Sequence, residues 1–199
     1  MINAALAALE AQADPGRAVE MQAYHKIARR YLGLAVPAIE ALVAEWRAHA
    51  TLDERLQLCA DLWATDIHEA RIAAAKLLTQ ARIRPDDAGA WALICAWVPQ
   101  LDAWAIADHV CIAGQKRVVA DPSRLDVVAS WTTSPLMWTR RAALVITLPF
   151  TKSNHPKPWE SAARDRVLGW CALYADVLHY VGTWVGSPQR HGFHFFIYY

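Results

Sequence analysis

The sequence predicts an all-α fold, and three observations carry that expectation. Apolar residues recur at three- and four-residue intervals along nearly the whole chain, while period-2 runs of β-branched residues are almost absent before the last residues. Each periodic stretch opens on a capping residue, a proline or both. The stretches are about 10 to 20 residues long, and the turns between them are only a few residues. Links that short force neighbouring helices to stack in antiparallel order, the arrangement of a HEAT-like α-solenoid of antiparallel helix pairs with one concave face. No strict repeat consensus accompanies it.

Residues 3–11 read as a short alanine-rich helix, broken at Asp14, Pro15 and Gly16. Residues 17–30 follow as a helix with Val19, Tyr24 and Ile27 on one side. Its cations Lys26, Arg29 and Arg30 gather at the C-terminal end, where positive charge complements the helix dipole. Residues 31–37 make a turn in which Gly33 is free to take positive φ, and Pro37 sits in the first turn of the next helix, 37–50, which carries Ile39, Leu42, Val43 and Trp46. Thr51 and Glu54 have the spacing of a capping box and open a helix to Trp63. Asp66 caps a further helix through Ala81, with Ile67, Ala70, Ala74, Leu77 and Leu78 as its apolar stripe. The next begins at residues 84–87 and ends near Pro99, and Leu101 or Asp102 opens the helix holding Trp104 and Asp108. Asp121 and Pro122 start a helix to Trp131, Ser134 and Pro135 one to Leu148, and Pro156 or Pro158 one to about Ala175. From Asp176 the pattern breaks. The stretch loses helix-forming charge pairs, and 193–199 is apolar and aromatic to the end, so the chain divides into a domain at 1–175 and an atypical tail at 176–199 whose exposure would be an aggregation hazard.

With 55% apolar and 20% charged residues in 199, the chain has the makings of a substantial core. It opens without a basic segment followed by an apolar run, and no apolar run approaches the roughly 20 residues that span a bilayer, so the expected location is cytoplasmic, with no membrane partner. Cys59, Cys95, Cys111 and Cys171 lie far apart in apolar helical contexts and read as small hydrophobes in a reducing compartment. A net charge of +1 announces no nucleic-acid partner through bulk electrostatics, so any such binding rests on a local patch.

Chemistry narrows to a few residues. His68-Glu69 and Asp108-His109 are adjacent pairs rather than the spacing of paired metal ligands, and there is neither a Gly-x-Ser-x-Gly nor a Gly-rich phosphate loop, so neither a metal nor an organic cofactor is expected. Trp104 and Asp108 stand four residues apart, which puts a flat aromatic ring and a carboxylate on one side of a helix. Asp108 is the only acid in that helix. Arg140 and Arg141 follow Trp138 and precede a packing run, so one of the two must face inward or across a groove. The ordinary alternatives are an Asp solvated or salt-bridged at a helix edge, a core tryptophan, and arginines that cap or solvate a helix.

In this setting the chain resembles a known family. Met21-Gln22-Ala23-Tyr24-His25-Lys26 with Tyr31 to Pro37, then Leu62-Trp63, Val98 to Asp108, and Trp138-Thr139-Arg140-Arg141-Ala142-Ala143 resemble, in order and interval, the signatures of the AlkD-like DNA alkylation repair enzymes, HEAT-like-repeat DNA glycosylases. The resemblance covers about residues 6–175. It implies that Trp104 and Asp108 are catalytic and that Arg141 contacts phosphate. It also implies double-stranded DNA with alkylated bases as partner, no obligate protein partner and no cofactor. Tyr24, Lys26, Arg30 and Arg140 are then expected to bind DNA, with Lys76, Lys116 and Arg117 as weaker candidates. The family's third site aromatic lies on a helix after the one containing Trp170; here 176–199 takes that place, and Trp184 does not align with it. On this reading the domain is incomplete at its C-terminus, as a shifted reading frame near Asp176 would leave it. The implied activity is hydrolysis of the N-glycosidic bond of cationic N3- or N7-alkylated purines without base flipping. A non-catalytic solenoid that binds DNA or protein is the alternative.

Overall fold

The structure, a computed structural model, describes residues 1–151 and 158–173, so the expectations for 176–199 and Trp184 fall outside the described residues. Within them lie the helices α1 (Ile2–Glu10), α2 (Pro15–His25), α3 (Val36–His49), α4 (Leu52–Ala64), α5 (His68–Leu77), α6 (Ala88–Trp97), α7 (Trp104–Ala120), α8 (Leu125–Trp131), α9 (Met137–Ile146), α10 (Leu148–Thr151) and α11 (Pro158–Leu173). Single 3-10 turns precede α7 and α8. The described residues form no strand, only an isolated bridge between Arg30 and Ile67, and the chain is the α-solenoid that its periodicity predicts.

Two layers result. Helices α3, α5, α7 and α9 are successive neighbours in one, and α4, α6 and α8 form hairpins with α5, α7 and α9 from the other. Leu58, Leu62, Leu77, Ile94, Ile106 and Ile146 are fully buried between them. The long helices of the first layer run parallel. Arg29 joins the residues just before α5 and α7, at Asp66 and Asp102, while Arg117 near the end of α7 reaches carbonyls just beyond α5, at Gln80 and Ala81. Thr139, in the first turn of α9, donates to Val98 O ahead of α7 at 3.3 Å. The N-termini of α5, α7 and α9 therefore share one edge.

Local chemistry explains most boundaries. Thr51 and Glu54 form the full capping box, and Gly33 adopts φ 82°. A Cβ at Gly33 would overlap Asp14 O and Ala18 N, so the turn requires glycine there. Several boundaries differ from the sequence expectation, and the helix expected from Ser134 and Pro135 to Leu148 is instead α9, Met137–Ile146, followed by α10. The helix expected over 17–30 is α2, Pro15–His25, because Lys26 turns left-handed at φ 59° and ends it. Arg29, expected at an exposed helix end, turns inward instead, its side chain 2% exposed, where two carboxylates compensate its desolvation. Asp66 does not cap α5: it is itself left-handed, at φ 54°, and its carboxylate binds Arg29 and Arg71 while Ile67 holds the N-cap position. Helix α5 also stops at Leu77 rather than Ala81. The four cysteines are free, Cys59 and Cys111 buried; burial pushes the Cys111 thiol up to about 12. Among the described residues no helix is long and apolar enough to cross a membrane.

Candidate functional site

Arg29 and Trp63 reach the residues just ahead of α7, and Arg71 and Glu69 brace them. Arg29, from the turn after α2, forms ion pairs with Asp66 at 3.3 Å and Asp102 at 2.5 Å. Arg71 of α5 pairs with Asp66 at 3.1 Å and lies 4.6 Å over the Trp63 ring. Glu69 of α5 accepts from Leu32 N at 2.9 Å and Gly33 N at 2.7 Å, fixing the turn that follows Arg29. Trp63 stacks on Trp97 at 4.4 Å and donates to Gln100 at 2.9 Å. A buried guanidinium with two acids resists displacement, because removing one partner strands the other in low dielectric. The first turn of α7 is therefore held from α2, α4 and α5 together.

Trp104 is the first residue of that turn and stays 47% exposed. Tyr24, 69% exposed at the end of α2, meets its ring edge-on at 6.2 Å, and His25 lies tilted against it at 5.5 Å. His25 in turn stacks on Tyr31, with ring planes 3° apart, and sits 4.7 Å from the ring of His68. One turn further along α7, Asp108 Oδ1 lies 2.7 Å from Arg141 Nη1 of α9. The Arg141 guanidinium also stands 5.5 Å over the ring of Trp138, three residues back on α9. Tyr24, Trp104, Asp108, Arg141 and Trp138 thus form a strip across α2, α7 and α9.

The imidazoles beside this strip are uncharged near neutral pH. Burial, with help from His25 and Arg29, pushes His68 down to about 3. Burial and Lys76 push His109 down to about 4, and burial together with Arg29 holds His25 below its ordinary value.

The other expected contacts divide. Arg141, not Arg140, crosses to α7; Arg140 donates to Ser134 O at 2.6 Å and braces the turn before α9. Arg30 is exposed and paired with Glu10 at 2.8 Å, and Lys26 is exposed at the end of α2. Lys76 pairs with Glu40 at 2.7 Å, and Lys116 is exposed. Arg117 is wholly buried and bound to Asp87 at 2.7 Å, so its charge serves the core rather than a surface. Trp170 is buried on α11 with Arg166 5.3 Å over it. The sequence presents His68 only as half of an adjacent His68-Glu69 pair and His25 only within the Met21–Lys26 signature, and neither pattern signals that the two rings meet beside Trp104.

Fold and site together define a helical-repeat protein with an aromatic-flanked carboxylate and guanidinium on one layer. The family pattern of the DNA alkylation repair enzymes matches residues 5–179, and the chain belongs to that family, which carries a DNA repair role. The match ends inside the 176–199 stretch. Among solved structures the fold is similar to that of a predicted DNA alkylation repair enzyme from Enterococcus faecalis, with 20% identity, a TM-score of 0.62, and coverage of 80% of this chain and 74% of that one. No curated protein matches the sequence.

Proposed function

We propose that the protein is a DNA glycosylase that hydrolyses the N-glycosidic bond of cationic N3- or N7-alkylated purines in duplex DNA, reaching the lesion along the strip without flipping the base. The observation that carries the reading is the exposed indole of Trp104 one helical turn from the Asp108 carboxylate, with Arg141 closing the third side. An alkylated purine already bears a positive charge. When its bond to C1′ breaks, the bonding pair goes to the base and neutralises it, and the charge passes to an oxocarbenium-like sugar. A carboxylate stabilises that sugar, as in other glycoside hydrolyses, and accepts a proton from the water that adds to C1′. Electron-rich indole faces attract the same charge, at roughly 0.5–2 kcal/mol each when desolvated. Arg141 has N–H groups beyond the one facing Asp108, and these suit a flanking phosphate. Tyr24 of the strip, with Lys26, Arg30 and Arg140, would supply further contacts to the DNA backbone.

Release of 7-methylguanine from methylated duplex DNA tests the reading. The wild-type protein is expected to release it, and Asp108→Asn to slow release by about 10²-fold, the scale of losing one preorganised electrostatic group. Equal rates in the two proteins would remove Asp108 from the chemistry. The Asp108–Arg141 pair also suits a second reading, a non-catalytic DNA-binding solenoid in which the carboxylate only positions the arginine. Salt-dependent DNA affinity without any base release by the wild-type protein would favour that reading.

A further inference from the structure

His25 is a ring between rings. On one side it stacks on Tyr31, with centroids 5.9 Å apart, and approaches His68 at 4.7 Å; on the other it leans on Trp104 at 5.5 Å. Its Nδ1 is buried without a hydrogen-bond partner, as is Nδ1 of His68. We propose that His25 is a positioning residue for Trp104: as a neutral imidazole it sets the plane of the indole and leaves the indole's π cloud free for a cation, and on gaining a proton it switches that face off. The catalytic consequence rests on the glycosylase reading; the contact between the rings does not.

An imidazolium at this distance would draw on the same indole that the cationic purine or sugar needs, and would repel that cation. Two unit charges about 8–10 Å apart at an effective dielectric near 20 repel enough to change a rate on the order of tenfold. The surroundings keep the ring neutral. Arg29 stands on the near side with its partners Asp66 and Asp102, His68 packs from α5 with His109 beyond it, and Glu69 faces Tyr31. Burial and the Arg29 charge lower the imidazole's proton affinity, so the switch operates on the acid side of its ordinary value.

The test uses the full chain and methylated duplex DNA from pH 8 to about pH 5.5, with spontaneous depurination subtracted and folding followed by circular dichroism. In the wild-type protein kcat/KM is expected to fall on acidification by on the order of tenfold, because the cation is repelled both as bound purine and as sugar in the transition state. His25→Phe keeps a ring against Trp104 but takes no proton, and relative to its own alkaline plateau it is expected to lose this acid limb. Because His25→Phe retains His68 and His109, general acid destabilisation is common to both proteins. A second readout needs no turnover. The Trp104 indole N–H resonance, assigned by its disappearance in Trp104→Phe, is expected to move with the His25 titration in the wild-type protein and to lose that movement in His25→Phe. The same acid limb in His25→Phe, or a Trp104 resonance that ignores the titration, overturns the proposal. If the wild-type protein releases no 7-methylguanine at any pH, the glycosylase reading fails while the resonance still decides the positioning claim.

Discussion

The carboxylate of Glu69 is wholly buried, and both its oxygens are spent on backbone amides of a turn 36 and 37 residues away, those of Gly33 and Leu32. That turn carries Tyr31, against which His25 stacks, so a single α5 side chain supports the aromatic wall around Trp104. Removing the acceptor leaves two buried N–H groups unpaired, and Glu69→Ala is expected to cost about 2–4 kcal/mol of unfolding free energy. Urea titration measures this, and a loss below about 0.5 kcal/mol, the scale of an ordinary surface change, would show that the turn finds other partners. Glu69→Gln keeps one acceptor oxygen and is expected to lose less. At this scale the sequence was legible where chemistry is local. Trp104 and Asp108 share a face by spacing alone, and Thr51 and Glu54 cap as their spacing requires. Arg29 was misplaced because its partners lie 37 and 73 residues away, at Asp66 and Asp102, and no local pattern reports them.

Between elements, the distance from α7 to α9 decides whether Asp108 and Arg141 meet. Gly114 sets it. A Cβ there would come within 2.7 Å of Ile146 Cδ1 and 2.9 Å of its Cγ1, and Gln115 donates to Val145 O at 2.9 Å beside this contact. Glycine inside a helix costs about 1 kcal/mol relative to alanine, a penalty that the close helix approach accounts for. Gly114→Ala is therefore expected to destabilise the protein by about 1–3 kcal/mol despite its better helix propensity. Trimming the facing side chain in Gly114→Ala/Ile146→Val is expected to recover much of that loss. A double-mutant cycle on unfolding free energies measures the coupling, and additivity of the two changes would show that the contact does not govern helix separation.

For the whole molecule, the buried imidazole of His68 and the half-buried one of His109 link stability to pH. His68 titrates near 3 and His109 near 4 in the folded chain, against an ordinary value of 6.5. The unfolded chain therefore takes up protons that the folded chain refuses. Their contribution is fully present above about pH 6.5 and falls as the pH drops toward the folded values. Between pH 7.5 and pH 5 the loss is expected to be on the order of 2–4 kcal/mol. Replacing both residues with glutamine, which cannot be protonated in this range, is expected to flatten the profile. A melting-temperature series from pH 8 to about pH 5 reads the difference, and an equally steep acid decline in the double variant would assign it to other groups.

The order of helices, most of their starts, the solenoid class and the residue types of the strip follow from the sequence by itself, because caps, prolines and the helical period act over a few residues. Tertiary structure decided which charges are spent internally and which rings touch. It drew Arg29 inward, chose Arg141 over Arg140 to face Asp108, buried Arg117, and placed His25 and His68 behind Trp104. The reason is that desolvation and ring packing depend on the neighbours that α2, α5, α7 and α9 bring together, and those neighbours are far apart in the chain.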